Sequence, residues 1–242
     1  MLVLAAVALA AAGCGGASDR SVARGSIGSG ADQVWFYPAK GKPRSLVVFL
    51  HGYGGPTEET PANHLAWLRH LAAHGNDVVY PRYETGGGAD PYPHLDAAIE
   101  AAESRLGKPK LPEILIGYSR GGRIAVDYAA VQAERGAEPK AVLAVFPGLH
   151  SPGEKLGPLG KLDSKTKIVL MVGDRDTGVG GIGARALLVR LARADFPASR
   201  IEIVGVKSKR GFAATHLSVL QTSRGAREAF WKPADELIES IR

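Results

Sequence analysis

The sequence predicts an α/β fold in which a mostly parallel sheet carries helices on both faces. Two observations predict it. From about residue 33 onward, short β-branched or aromatic runs alternate with longer alanine-rich stretches of helical period. In addition, 45% of the 242 residues are hydrophobic and 22% are charged, so the chain can bury a substantial core within one domain.

The predicted strands and helices alternate along the chain. The predicted strands are Val34 to Tyr37, Leu46 to Leu50, Val78 to Tyr80, Ile114 to Gly117, Ala141 to Phe146, Ile168 to Val172 and Ile201 to Val204. The predicted helices are Asn63 to Ala73, Leu95 to Leu106, Arg120 to Glu134, Ala184 to Arg193 and Ala226 to Ile241. We expect the first strand at a sheet edge. The proline- and glycine-rich stretch from Phe146 to Ile168 predicts an irregular loop, so little or no lid domain is expected.

The N-terminal segment resembles a secretion signal. Leu2 to Ala12 form an apolar run that is too short to span a bilayer but fits the apolar region of a signal peptide. The next residues complete the sequence Ala11-Ala12-Gly13-Cys14, which is similar to a bacterial lipoprotein processing site, where the cysteine receives lipid. We therefore expect a signal peptide at 1–14, a Gly- and Ser-rich flexible tether at 15–31 and a folded domain at 32–242. The protein would be exported and anchored to a membrane through lipid on Cys14, or secreted if the anchor is absent.

Charge and cysteine content narrow the partners and the chemistry. The formal charge of +6 comes from 30 basic and 24 acidic residues, and the basic residues are scattered. Nucleic-acid binding would need a basic stripe, so no nucleic-acid partner is expected. Because Cys14 is the only cysteine, we expect neither a disulfide nor a thiolate metal cluster in the folded domain.

The strongest motif is Gly117-Tyr118-Ser119-Arg120-Gly121, which joins a predicted strand to a predicted helix. A serine hydroxyl is a weak nucleophile unless a base removes its proton and the backbone presents it clear of its neighbours. A sharp strand-to-helix turn presents it, and brings the two elements so close that only glycine fits at positions such as Gly117 and Gly121. The motif therefore predicts Ser119 as a nucleophile.

A second glycine-rich turn follows the strand Leu46 to Leu50. Its sequence, His51-Gly52-Tyr53-Gly54-Gly55, lets backbone N–H groups point at a bound oxygen. Acyl transfer builds negative charge on a carbonyl oxygen, and each donor aimed at that charge typically contributes about 3 kcal/mol. We assign this oxyanion hole to the backbone amides of Tyr53 and Arg120, with His51 and Gly52 supporting the turn.

Together, Phe49 to Gly54, the Gly117 to Gly121 turn and two downstream segments resemble the α/β-hydrolase family. The resemblance spans most of residues 34 to 241. The family places an acid after a late strand and a histidine in a loop after the last strand, in the chain order Ser, Asp, His.

The resemblance implies that His216 is the base and that an aspartate orients its imidazole. Asp174 and Asp176 both follow the strand Ile168 to Val172. The family spacing favours Asp176. Asp174 would then form the turn or pair with Arg175.

The function implied is hydrolysis of carboxylic esters through an acyl-enzyme, as in serine esterases. No metal or organic cofactor is needed for this chemistry. The substrate would be a small-molecule, lipid or polymer ester. Two alternatives stay open: the same triad could serve an amidase, peptidase or acyltransferase, or the domain could be a catalytically inactive lipoprotein that binds ligands.

Two further patterns favour other chemistry less strongly. Gly178 to Gly183 satisfies a dinucleotide-binding pattern, with Glu202 about twenty residues on. However, four residues separate it from the preceding strand, and Glu202 falls within the next predicted strand. His70 and His74 stand one helical turn apart, but no further ligand completes a recognisable zinc motif, so no metal site is predicted.

Overall fold

The computed structural model of the chain describes residues 24–54, 60–84, 90–107 and 110–241. Eight strands form one sheet: β1 (Gly25–Ile27), β2 (Val34–Tyr37), β3 (Ser45–Leu50), β4 (Asn76–Pro81), β5 (Glu113–Tyr118), β6 (Ala141–Val145), β7 (Lys167–Gly173) and β8 (Ile201–Val206). Their order across the sheet is β1-β2-β4-β3-β5-β6-β7-β8. The predicted signal peptide, Cys14 and residues 15–23 lie outside the described residues, as does Gly55.

The sheet is parallel from β4 through β8, and only β1 and β2 run antiparallel to their neighbours. In the centre, Leu50 of β3 is opposite Gly117 of β5, and Tyr118 of β5 is opposite Val145 of β6. This register brings the carboxyl ends of the central strands to one edge of the sheet. The predicted, mostly parallel sheet is confirmed.

Helices cover both faces of the sheet, as predicted. They are α1 (Leu65–Ala73), α2 (Tyr92–Leu106), α3 (Arg120–Glu134), α4 (Ile182–Arg193), α5 (Arg224–Ala226) and α6 (Lys232–Ser240), with a π-helical turn (Arg227–Trp231) joining the last two. Short 3-10 turns lie at Gly30–Asp32, Ala62–His64, Leu159–Lys161, Ala198–Arg200 and His216–Leu220. Because successive side chains of a strand point to opposite faces, Val48 packs with α2, α3 and α4, whereas Phe49 packs with α1 and the C-terminal helices.

The structure differs from the prediction at the N-terminal edge of the sheet. Strand β1 lies within the predicted tether and pairs with β2, with Ser26 opposite Trp35. It takes the edge position that was predicted for Val34 to Tyr37, and Ile27 packs against the core. The tether prediction is therefore wrong for residues 25–27, because a three-residue strand is too short to show the alternation that predicts strands.

No helical domain is inserted at the carboxyl edge within the described ranges. Between β6 and β7, the 3-10 turn Leu159–Lys161 is the only helical element, in agreement with the predicted irregular loop. Across the residues that the structure describes, no helix combines the length and the apolar character needed to cross a membrane.

Candidate active site

Ser119 lies in a strained turn between β5 and α3. Its backbone has φ +56° and ψ −122°, a conformation that a non-glycine residue rarely adopts. Two close approaches enforce the turn. A Cβ on Gly117 would lie 2.2 Å from the carbonyl oxygen of Gly121, and a Cβ on Gly121 would lie 2.3 Å from the carbonyl oxygens of Leu50 and His51. The turn thus raises the Ser119 side chain at the carboxyl edge of the sheet.

Three predicted side chains lie in hydrogen-bonding contact at this edge. His216 Nε2 is 2.9 Å from Ser119 Oγ, and His216 Nδ1 is 2.9 Å from Asp176 Oδ2. Each of the three follows the carboxyl end of a different strand: Ser119 follows β5, Asp176 follows β7 and His216 follows β8. If Nδ1–H donates to the carboxylate, the lone pair of Nε2 faces the serine hydroxyl and can accept its proton.

The Asp176 carboxylate is held on both of its oxygens. Its side chain is fully buried, and Oδ1 accepts hydrogen bonds from the amides of Gly178 at 2.9 Å and Val179 at 3.1 Å. Oδ2 faces the imidazole of His216. The glycine run that matched a dinucleotide-binding pattern therefore donates its first amides to this aspartate.

Asp174 occupies a different place. It is exposed, and its two oxygens accept the Ser208 amide at 3.0 Å each, while the Ser208 hydroxyl donates at 2.6 Å. These hydrogen bonds lower the pKa of the Asp174 carboxyl. Asp174 thus joins the ends of β7 and β8 through Ser208, and the carboxylate that faces His216 Nδ1 is that of Asp176.

The predicted oxyanion turn lies directly against Ser119. A Cβ on Gly52 would be 3.2 Å from the Ser119 Cβ, so Gly52 and its neighbour Tyr53 adjoin the serine. The Arg120 guanidinium lies 5.5 Å from the centre of the Tyr53 ring. Arg120 is also the first residue of α3, where a backbone N–H has no acceptor within the helix. One amide assigned to the oxyanion hole therefore belongs to the residue after Ser119, and the other to the residue after Gly52.

The His51 ring contacts two backbone carbonyl groups and so fixes this turn. Its side chain is buried, with Nδ1 2.7 Å from the Gly52 carbonyl oxygen and Nε2 2.7 Å from the Arg82 carbonyl oxygen. Its ring stacks on Tyr83 at a centroid distance of 4.3 Å. These contacts fit the supporting role that the sequence predicted.

A buried network of charged side chains, which the sequence analysis missed, begins at Arg120, the residue after Ser119. Its members are Glu84, Arg120, Arg123, Asp127, Glu154 and Arg190, three of each sign. The Arg120 guanidinium pairs with Glu84 and, at 2.5 Å, with Glu154. We refer to these six residues as the charged network.

Arg123 links the two ends of the charged network, at 2.7 Å from Glu154 and 3.2 Å from Asp127. Burial raises the pKa of Asp127, but hydrogen bonds from His150 and Arg190 outweigh it, so the pKa lies below its ordinary value. The sequence did carry a signal: Arg120, Arg123 and Asp127 recur at helical spacing on a helix with an otherwise mostly apolar face.

Two histidines lie at the C-terminal end of α1, His70 within it and His74 directly after it. His70 Nε2 is 2.8 Å from Asp235 Oδ2, and the rings of His70 and His74 lie 4.0 Å apart. Nowhere in the described part of the chain do three or more His, Cys, Asp or Glu side chains group as metal ligands.

The backbone is similar to those of esterases of known structure. A thermostable carboxyl esterase from Bacillus coagulans, solved with glycerol, has a TM-score of 0.64 at 15% identity, over 90% of this chain and 98% of that one. Carboxyl esterase 2 from the fungus Tuber melanosporum has a TM-score of 0.63 at 15% identity, over 93% and 89% of the two chains. The chain has the α/β-hydrolase fold.

A third structure with the α/β-hydrolase fold is a thermophilic esterase from the Planctomycetes species Thermogutta terrifontis, solved with butyrate bound. Its TM-score is 0.61 at 18% identity, over 86% of this chain and 89% of that one. No protein-family model matches the chain, and no curated protein matches it either. At these identities the likeness shows a shared fold, and the function has to be argued from the site.

Proposed function

We propose that the protein hydrolyses carboxylic esters through an acyl-enzyme intermediate. Ser119 is the nucleophile, His216 the general base and acid, and Asp176 the group that orients the imidazole. The observation that carries this proposal is the chain of hydrogen bonds from Asp176 through His216 to Ser119, with 2.9 Å at each step. Nucleophile, base and orienting acid in this order are the constellation for acyl transfer.

The reaction runs in two halves. Ser119 Oγ attacks the ester carbonyl while His216 Nε2 takes its proton, and the amides of Tyr53 and Arg120 stabilise the oxyanion that forms. The imidazolium then protonates the leaving alcohol. Water repeats the sequence on the acyl-enzyme, and the acid is released. Asp176 orients the imidazole through Oδ2, while its Oδ1 accepts the amides of Gly178 and Val179.

Two neighbours support esters as the substrate class. The neighbours from Bacillus coagulans and Thermogutta terrifontis are both esterases, and the second was solved with butyrate bound. A carboxylate such as butyrate is one of the two products that ester hydrolysis releases. Combined with the site geometry, this favours ester cleavage over the other reactions that the same three residues could perform.

Labelling with a fluorophosphonate probe tests the nucleophile. We expect the wild-type protein to be labelled, Ser119→Ala to lose labelling, and Ser151→Ala, at an exposed serine on the same edge, to keep it. A folded wild-type protein that resists labelling would instead be a binding module. A panel of p-nitrophenyl esters and p-nitroanilides then separates the reactions, and faster cleavage of the amides would contradict the ester assignment.

We also propose that the protein is an exported lipoprotein of the bacterial cell envelope, anchored through lipid on Cys14. The support is the sequence alone: an apolar run that ends in small residues before a single cysteine. Replacing Cys14 by Ser should move the protein from the membrane fraction to the soluble fraction. A wild-type protein that is wholly soluble after export would contradict the anchor.

A further inference from the structure

Several large apolar side chains that are mostly solvent-exposed lie on segments that contact the proposed active site or the loop after β6. Four of them define what we call the apolar rim: Tyr53, Leu149, Ile182 and Leu217, which are 64%, 51%, 58% and 64% exposed. Exposed apolar side chains that gather in one place mark a binding surface, whereas scattered ones need no explanation. The rim residues come from four separate segments of the chain, which the fold brings to the same edge of the sheet.

Two members of the apolar rim directly follow residues that touch Ser119. Tyr53 follows Gly52, where a Cβ would lie 3.2 Å from the Ser119 Cβ. Leu149 follows Gly148, whose N–H donates to the Ser119 carbonyl oxygen at 2.9 Å. Tyr53 and Leu149 are therefore each one residue away, along the chain, from a contact with the proposed nucleophile.

The other two members of the apolar rim come from the segments that follow β7 and β8. Leu217 directly follows His216, the proposed base. Ile182 is the first residue of α4, and the next residue, Gly183, is so close to the loop after β6 that a Cβ there would lie 1.8 Å from the Pro147 carbonyl oxygen. This contact places the start of α4 against the segment that leads to Leu149.

The charge beside the nucleophile is already committed to internal partners. Arg120, the residue next to Ser119, has a side chain only 7% exposed, and its guanidinium pairs with Glu84 and Glu154. The Tyr53 ring lies over it. A substrate carboxylate near this guanidinium would meet two carboxylates that already neutralise it, and would lose hydration without gaining a free cation.

We propose that the substrate is an uncharged ester whose acyl group is an apolar chain longer than acetyl, and that this chain lies along the apolar rim. The inference rests on the proposed ester hydrolysis and deepens it. Contact between the chain and the rim removes apolar surface from water, which stabilises the bound state. A carboxylate at the far end of the chain would be disfavoured, because the rim residues cannot solvate it.

Three matched esters test the substrate class. They are p-nitrophenyl acetate, p-nitrophenyl hexanoate and mono-p-nitrophenyl adipate, whose acyl chain has as many carbons as hexanoate but ends in a carboxylate. We expect kcat/KM for hexanoate to exceed the values for acetate and for adipate by at least tenfold. Equal values for hexanoate and acetate, or faster cleavage of adipate, would overturn the inference and leave ester hydrolysis standing.

A matched pair of variants tests the rim itself. The double variant Leu149→Ser and Leu217→Ser should lower the ratio of hexanoate to acetate kcat/KM by threefold or more. Ile203→Ser removes a side chain that is equally exposed, at 58%, but lies in β8, and should leave the ratio unchanged. The ratio is insensitive to the fraction of folded enzyme. An unchanged ratio in the double variant would refute the role of the rim.

The two proposals fail in distinguishable ways. If the protein cleaves none of the three esters and resists the fluorophosphonate probe, the proposed function is wrong, and the substrate class falls with it. If it cleaves them without the expected preference, only the substrate class is wrong.

Discussion

Replacing Asp176 or Asp174 by asparagine tests which of the two aspartates orients the imidazole of His216 and which has only a structural role. In Asp176→Asn, the amide oxygen can still accept the hydrogen bonds of Gly178 and Val179, so the NH₂ group turns toward His216. The imidazole must then accept at Nδ1 and carry its proton on Nε2. In that tautomer, Nε2 cannot accept the proton of Ser119.

The expected loss is large because the tautomer is wrong in nearly every molecule. In enzymes with such triads, this substitution lowers kcat by about 10⁴-fold, which corresponds to about 5.5 kcal/mol in the activation free energy. Asp174→Asn supplies the control. Asp174 is exposed and contacts Ser208, and an asparagine oxygen can still accept the Ser208 amide. We expect its kcat to fall by less than about threefold.

The assay is kcat and KM on a p-nitrophenyl ester, with thermal unfolding to show that both variants fold. Because the substituted carboxylate does not contact the substrate, kcat should fall in Asp176→Asn while KM changes little. A larger loss in Asp174→Asn than in Asp176→Asn would refute the assignment. Equal and small losses in both would refute the view that Ser119 is activated through His216.

Three further predictions concern stability. Gly121→Ala forces a Cβ to within 2.3 Å of backbone oxygens and should lower the free energy of unfolding by about 3 kcal/mol or more in urea titrations. Gly160→Ala is the control: a Cβ there meets no atom within 4 Å, and the free energy of unfolding should change by less than about 0.5 kcal/mol. Burial raises the pKa of Glu113 from 4.5 to about 7, against a hydrogen bond from Gln132 that lowers it. The protonated form therefore stabilises the fold below pH 4.5, this stability is lost as the pH rises through about 7, and Glu113→Gln should flatten the dependence of Tm on pH between 5 and 8. Burial lowers the pKa of His64 to about 3, so the stability that its neutral ring contributes above pH 6.5 is lost toward pH 3. His64→Phe removes this titration, so calorimetry should show a smaller fall of Tm toward pH 3, and an unchanged acid limb would contradict this.

The sequence predicted the fold because hydrophobic periodicity reports which residues are buried. The strand predicted at Ile168 to Val172 extends by one residue at each end in β7, and the helix predicted at Arg120 to Glu134 has those bounds. A parallel sheet that is covered on both faces needs continuous apolar strands, and these are visible in any window of the chain. Strand β1 was missed because it has three residues and begins with glycine.

The site was predicted in part, and the limits have a physical reason. The glycine-flanked turn predicted Ser119 and the family resemblance predicted Asp176 and His216; the structure places the three in one hydrogen-bonded chain. The spacing of the charged residues on α3 was visible in the sequence, but their partners were not, because pairs such as Glu84 with Arg120 join residues from different strands and loops. Single-sequence patterns report spacing within an element, and they carry no information about which distant charge completes a buried pair.

The glycine run after β7 shows why a motif can predict geometry correctly and chemistry wrongly. A run such as Gly178 to Gly183 signals a backbone that turns its N–H groups toward an anion. In nucleotide-binding proteins that anion is a phosphate of the ligand. Here the amides of Gly178 and Val179 hold the carboxylate of Asp176, two and three residues earlier in the chain. The same local physics therefore serves either a ligand or the protein itself, and only the position of the nearest acidic side chain distinguishes the two.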